Sequence, residues 1–255
     1  MVYFVLTGFG DFAGVHENPT EHIVKNIEDY IRSRKKDLPE EAEIFSSTPL
    51  KVSATLVNDW LAQAAERVQR EAPSTAEVLW VHFGVDVNAS HFKIEARAKN
   101  EATFRVEDQG GWQPHQAPIN PEQPLNSWLS TDLPVSAIAA AAGHTQGQQV
   151  AVSQDAGLFV CNWIYYKSLQ QSQQQDSKQK WHSIFVHVPP LEMADPEQQL
   201  RMAAAILDSM AASVTPVQGQ PVQLVLGQEV EPAGSHAARH KSSRRMLSCF
   251  SWCQS

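Results

Sequence analysis

Short apolar runs alternate along the chain with longer stretches whose apolar positions recur at helical spacing. Residues 2–7 form a continuous apolar run, the pattern of a strand covered on both faces, and it passes into Gly8-Phe9-Gly10. Asn18-Pro19-Thr20-Glu21 then opens a helix: Asn18 can cap it, Pro19 suits the first helical position, and Glu21 stands where a capping box places a carboxylate. Ile23, Val24, Ile27, Tyr30 and Ile31 give that helix one apolar face, and the basic stretch 32–36 marks its end. Residues 43–52 predict extended chain broken at Pro49. Residues 57–71 predict a second amphipathic helix with Trp60, Leu61, Ala64, Ala65 and Val68 inward, stopped by Pro73. A buried strand follows at 78–81 and ends at Gly84; 91–105 alternates loosely and holds one or two strands; 110–125, rich in Gly, Pro, Gln and Asn, predicts a long loop or lid.

The second half repeats the alternation. A helix is predicted over 134–142, ended by Gly143. A strand follows at 149–153, a helix at 157–169, and a Gln- and Ser-rich surface excursion at 170–180. The strand at 183–188 is closed by Pro189-Pro190, and Asp195-Pro196 starts a last helix with Leu200, Ala203, Ala204 and Leu207 on one face. Such alternation predicts an α/β fold: a single three-layer α/β/α sandwich with a mixed, largely parallel central sheet. The pattern fades near residue 214. The expected organisation is therefore one domain over 1–213 and a C-terminal extension over 214–255, polar and turn-rich and expected to be largely disordered.

Composition narrows the function classes. Of 255 residues, 42% are apolar and 19% charged, ordinary for a globular protein. The net charge of -8 gives no general attraction to nucleic acid or anionic membrane. No apolar run reaches the roughly 18 residues of a membrane span. The apolar start lacks a basic leader and reads as a first strand, not a signal peptide. Three cysteines make no disulfide framework, so a reducing, cytoplasmic setting is expected. The oligomeric state is not legible.

Ligands of open α/β sheets bind beyond the carboxyl ends of strands, and three reactive residues fall near such ends. Cys161 lies early in the helix after the strand at 149–153, where the helix dipole favours a thiolate; taken alone it reads more readily as a small core cysteine. His187 near the end of its strand suits a base for a thiol, or a structural histidine. Glu95 suits the group that orients an imidazole, or a solvent-facing strand carboxylate. Spacing alone stops at a soluble α/β domain with a candidate cysteine site.

Four blocks in order change that reading. Thr7-Gly8-Phe9-Gly10-Asp11-Phe12 with Asn18-Pro19-Thr20, Glu95-Ala96-Arg97-Ala98-Lys99-Asn100, Ala156-Gly157-Leu158-Phe159-Val160-Cys161-Asn162, and Phe185-Val186-His187-Val188-Pro189 together resemble the pyroglutamyl peptidase I family, also called pyrrolidone-carboxylate peptidases. The resemblance runs from about residue 2 to about 213. It implies a Glu95-Cys161-His187 triad, no metal and no organic cofactor, and cleavage of the amide after an N-terminal pyroglutamyl residue of peptides through a thioester. It also implies a pocket for the uncharged lactam ring walled by Phe9, Phe12, Phe159, Val160 and Val106, with Arg105 close by. Arg105 reads equally as a surface residue paired with Glu107. Asp11 and Ala13 depart from the family's usual proline and glycine and put a carboxylate near the expected ligand loop. Beyond the resemblance, Cys249 and Cys253 beside aromatic residues suggest a lipidated tether or, more simply, an idle appendage. Two rival readings stand: a relative that binds pyroglutamyl peptides or a protein partner without cleaving, and, by fold analogy alone, a nucleoside phosphorylase.

Overall fold

The leading apolar run forms β1 (Val2–Phe9), and the other elements follow in order: α1 (Pro19–Arg34), β2 (Ala42–Leu50), α2 (Ala54–Glu71), β3 (Glu77–Val85), β4 (Phe92–Glu95), β5 (Arg97–Lys99), β6 (Trp128–Ser130), α3 (Val135–Gln146), β7 (Val150–Ser153), α4 (Val160–Gln173), β8 (Lys180–Val188) and α5 (Pro196–Val214). The structure, a computed structural model, describes residues 1–12, 14–34, 38–39, 41–173 and 179–215. Most of the extension expected at 214–255, with Cys249 and Cys253, lies outside the described residues, as do Ala13 and the Gln-rich stretch 174–178. Among the described helices none is long and apolar enough to cross a membrane.

Six strands make one sheet in the order β2-β1-β3-β8-β4-β7. The first four are mutually parallel, while β4 runs antiparallel to β8 and parallel to β7. The sheet is therefore mixed and largely parallel, as the alternation predicts. Because strand side chains alternate between faces, β3 divides its residues between two cores. Leu79, Val81 and Phe83 pack with α1, α3 and α5. Val78 and Trp80 pack with α2 and α4. Three layers result, and Cys161, Glu95 and His187 lie on the second face. A small antiparallel pair, β5 with β6, sits beside α4; β6 escaped the sequence reading because three residues with Trp128 and Ser130 exposed carry no periodic signal.

Several local expectations are corrected. Pro49 does not interrupt the extended segment: β2 is an edge strand, where a missing N–H is tolerated. Gly143 does not end α3. It lies inside the helix, where an added Cβ would come within 2.7 Å of the Gln148 carbonyl oxygen, and Gly147, with φ 62°, forms the cap one turn later. At α1 the Glu21 carboxylate pairs with Lys25 instead of closing a capping box, while Asn18 Oδ1 accepts from the Thr20 N–H at 3.1 Å. A reciprocal capping box does form at α5 between Asp195 and Gln198. Residue 179, expected on a surface excursion, is buried: the Gln179 amide donates to the Ala72 carbonyl at 3.0 Å and so ties the end of α2 to β8.

Candidate active site

The alternation of β8 puts Phe185 and His187 on the α2/α4 face. Antiparallel pairing sets Lys93 opposite His187 and Glu95 opposite Phe185, so Glu95 and His187 share that face on adjacent strands. The register brings Glu95 Oε1 to 2.7 Å from His187 Nδ1, with Glu95 only 1% exposed. Tyr165 of α4 donates its hydroxyl to the Glu95 carbonyl oxygen at 2.7 Å, fixing that residue's backbone from above. On the other side of β8, His187 pairs with Gly84 of β3.

Gly84 makes room for the thiol. A Cβ there would lie 2.9 Å from Cys161 Sγ and 2.5 Å from the Phe185 ring, so the sulfur occupies the space a side chain would fill. Cys161 itself is the second residue of α4, one turn nearer the helix start than a helix from 157 would place it. Gly157 adopts φ 78°, a left-handed turn that few other residues accept, and it redirects the chain from β7 into the helix. The neighbouring Asn162 is fully buried and anchors that first turn. Its amide accepts from the Lys99 N–H at 2.8 Å and donates to the carbonyls of Lys99 and Glu101 at 2.8 and 3.0 Å. Asn100 does the same for the long loop, donating to the carbonyls of Asn120, Gln123 and Pro124 and accepting from the Asn120 N–H. Both asparagines belong to the quoted sequence blocks, and both hold backbone in place.

The electrostatics follow from burial and pairing. Desolvation works to lower the His187 pKa, but its side-chain hydrogen bonds to Cys161 and Glu95 outweigh it, and the pKa is pushed up to about 10. With Nδ1 on Glu95, the nitrogen left for the sulfur is Nε2. A charged imidazolium, hydrogen-bonded to the buried carboxylate and facing the sulfur, is the state this arrangement favours. Nearby His82 shows the opposite case. Fully buried, with Nδ1 2.8 Å from the Thr7 hydroxyl oxygen and no opposing charge to compensate, it is pushed down to about 3 and stays neutral.

Cys161 opens on a cavity of about 240 Å³. Of the sequence-predicted residues, Phe9, Phe12, Arg105, Phe159 and Val160 line it, while Val106, 40% exposed, is not on its wall. Phe12 stacks on Phe159 with ring centroids 5.4 Å apart, and Phe104 backs Phe159 at 4.6 Å. Arg105 lies at the rim with its guanidinium carbon 6.0 Å from the Phe159 centroid, and makes no ion pair with Glu107 among the described residues. Asp11 is exposed and off the wall; its carbonyl accepts from Gln109 Nε2 at 3.1 Å. Sequence reasoning missed Asn18, Val52, Val85, Asp86, Val87 and Asn88, which also line the cavity. Only Gly84, as the end of a buried strand, pointed toward the last four. Among the described residues no cluster of three or more His, Cys, Asp or Glu has the arrangement of a metal site.

Comparison with known proteins identifies the family and the fold. The family model described as pyroglutamyl peptidase matches residues 2–219. A pyrrolidone-carboxylate peptidase of Bacillus cereus is 30% identical over 194 residues, 76% of this chain and 79% of that protein, and one of Bacillus thuringiensis is 29% identical over the same extent. Among solved structures, a mutant pyrrolidone carboxyl peptidase from the hyperthermophile Pyrococcus furiosus superposes with a TM-score of 0.70 at 24% identity, covering 84% of this chain and all of that one. The pyrrolidone carboxyl peptidase of Thermococcus litoralis gives 0.68 at 23% identity, covering 83% of this chain and 94% of that one. These two likenesses concern the fold.

Proposed function

The chain belongs to the pyroglutamyl peptidase family, and on that premise we propose that it is a cysteine peptidase hydrolysing the amide after an N-terminal pyroglutamyl residue of peptides, with residues 1–213 as the catalytic unit. The observation that carries the assignment is the 2.7 Å hydrogen bond between buried Glu95 and His187, with the imidazole electrostatically coupled to Cys161, whose thiol opens on an aromatic-lined cavity.

In this reading Cys161 is the nucleophile, His187 the acid and base, and Glu95 the group that holds the imidazole. The Cys161 sulfur attacks the scissile carbonyl carbon. The resulting oxyanion accepts from backbone N–H groups of the first turn of α4, which have no intrahelical acceptors. The tetrahedral intermediate collapses, the C–N bond breaks, and the His187 Nε2 proton passes to the departing amine. A water molecule then gives a proton to His187 and attacks the thioester; the C–S bond breaks, releasing pyroglutamate and restoring the thiolate. Glu95 keeps a proton on Nδ1 throughout and stabilises the imidazolium whenever Nε2 is also protonated.

Specificity has the same physical basis. Pyroglutamate carries no free amine, so recognition falls to an apolar slot for a flat lactam. Phe9, Phe12, Phe159 and Val160 form that slot, and Arg105 stands at its rim. Val106 takes no part. A binding-only role fits less well, because it leaves unexplained why a thiol on the cavity wall stands beside an imidazole that is hydrogen-bonded to a buried carboxylate.

The test is release of aminomethylcoumarin from pyroglutamyl-aminomethylcoumarin by the reduced, full-length chain beside its Cys161→Ser variant. Turnover that collapses in the variant is expected. A folded, reduced chain that releases no fluorophore would refute the assignment.

A further inference from the structure

We propose that the turn formed by Asp86, Val87 and Asn88 is the subsite for the residue that follows pyroglutamate, and that the charge on this turn selects among such residues. The inference rests on the peptidase reading above and concerns the other half of the substrate.

Phe9, Phe12 and Phe159, which take the lactam ring, share one cavity with Cys161 and with residues 85–88. With the acyl carbon on the sulfur and the ring among the aromatics, the departing nitrogen must face the proton it receives, which is on His187. The turn flanks that histidine. It continues β3 directly beyond the Gly84–His187 pair, and its Asp86 N–H donates to the Val188 carbonyl at 3.0 Å. The residue carried by the departing nitrogen therefore lies against the turn.

The chemistry of the turn predicts what it accepts. Val87 lines the cavity and is 46% exposed, so it leaves apolar surface open there. Asp86 also lines the cavity. Its carboxylate accepts from Lys93 Nζ at 2.7 Å and from the Asn88 N–H at 3.0 Å, and it keeps about a quarter of its side chain exposed. Lys93 is not on the cavity wall, so the anionic half of the pair faces the substrate. An apolar or basic residue after pyroglutamate is favoured, and an acidic one is disfavoured by about tenfold in kcat/KM, the scale of one partly screened charge a few ångströms away.

The experiment measures kcat/KM of the full-length chain on the amides of pyroglutamyl-arginine, pyroglutamyl-alanine and pyroglutamyl-glutamate. It is repeated for Val87→Asp, Val87→Lys and Asp86→Asn, with thermal unfolding to verify folding. Exposure of Val87 makes its replacements structurally mild. The arginine-to-glutamate ratio is expected to rise about tenfold in Val87→Asp, to fall by about as much in Val87→Lys, and to fall in Asp86→Asn. Ratios within twofold of the parent chain in active variants overturn the subsite and leave the peptidase reading intact. So do shifts that vanish at high salt, which mark a distant field and not a contact. No turnover of any of the three amides by the parent chain overturns both readings.

Discussion

Gly84→Ala adds a single methyl group, and the structure says where it goes. The new Cβ would lie 2.5 Å from Phe185 Cζ, 3.0 Å from Phe185 Cε1 and 2.9 Å from Cys161 Sγ. Ordinary contact begins at 3.4 Å, so the ring must retreat by about 0.9 Å and the sulfur by about 0.5 Å. Phe185 is fully buried, against Tyr165 at 6.0 Å between centroids and His187 at 4.7 Å, so its retreat presses on the histidine. Relief thus comes at the thiol, the imidazole, or both. Overpacking of this kind costs roughly 1–3 kcal/mol of stability. A displacement approaching 1 Å in a reacting group costs up to about 100-fold in rate. We expect the variant to fold with a lowered Tm and to lose between about 10- and 100-fold in kcat/KM on pyroglutamyl-aminomethylcoumarin. The rate of Cys161 alkylation by iodoacetamide should fall as well. Activity within threefold of the parent would refute the argument that the vacant side-chain position at 84 seats the sulfur.

Other perturbations follow from the same geometry. Glu95→Gln removes a hydrogen bond and a charge that hold His187 protonated, so the alkaline limb of kcat/KM should move to lower pH; an unmoved limb refutes the coupling. Because the folded pKa of His187 is raised to about 10, its contribution to stability is fully present below about pH 6.5 and is lost as pH rises through 10, measurable as a falling Tm in alkaline buffers. His82 has the opposite sign. Its pKa is lowered to about 3, so the unfolded chain binds the extra proton between pH 6.5 and about 3, and stability falls there by up to about 1.4 kcal/mol per pH unit. His82→Met should flatten that acid limb in denaturant titrations, and an unchanged slope counts against the burial argument. Asn162→Ala leaves three backbone groups at 99 and 101 without their side-chain partner and should cost roughly 2–4 kcal/mol, read as a lowered denaturation midpoint; an unaltered midpoint would show the contacts to be dispensable.

Local chemistry determined much of this protein. The continuous apolar runs at 2–7, 78–81 and 183–188 mark strands buried on both faces, and the i, i+3, i+4 spacing after Asn18 and Asp195 marks helices, because burial at a fixed period depends only on neighbours along the chain. The four blocks around Phe9, Glu95, Cys161 and His187 carried the family. What the sequence left open was every relation between distant residues. Gly143 and Gly147 look alike as helix terminators until the packing of Gln148 against one and the positive φ of the other separate them. By spacing alone Glu95 reads as a strand carboxylate; antiparallel pairing of β4 with β8 buries it against His187, 92 residues away, the partner the family resemblance implied. Gly84 signals a strand end until the Cys161 sulfur is found in its place, and Asp86 and Val87 are an unmarked turn until the cavity reaches them. Periodicity is a property of one segment and is written in that segment. Register, the cavity and the sharing of a proton arise only where separate segments meet, and the tertiary structure alone decided them.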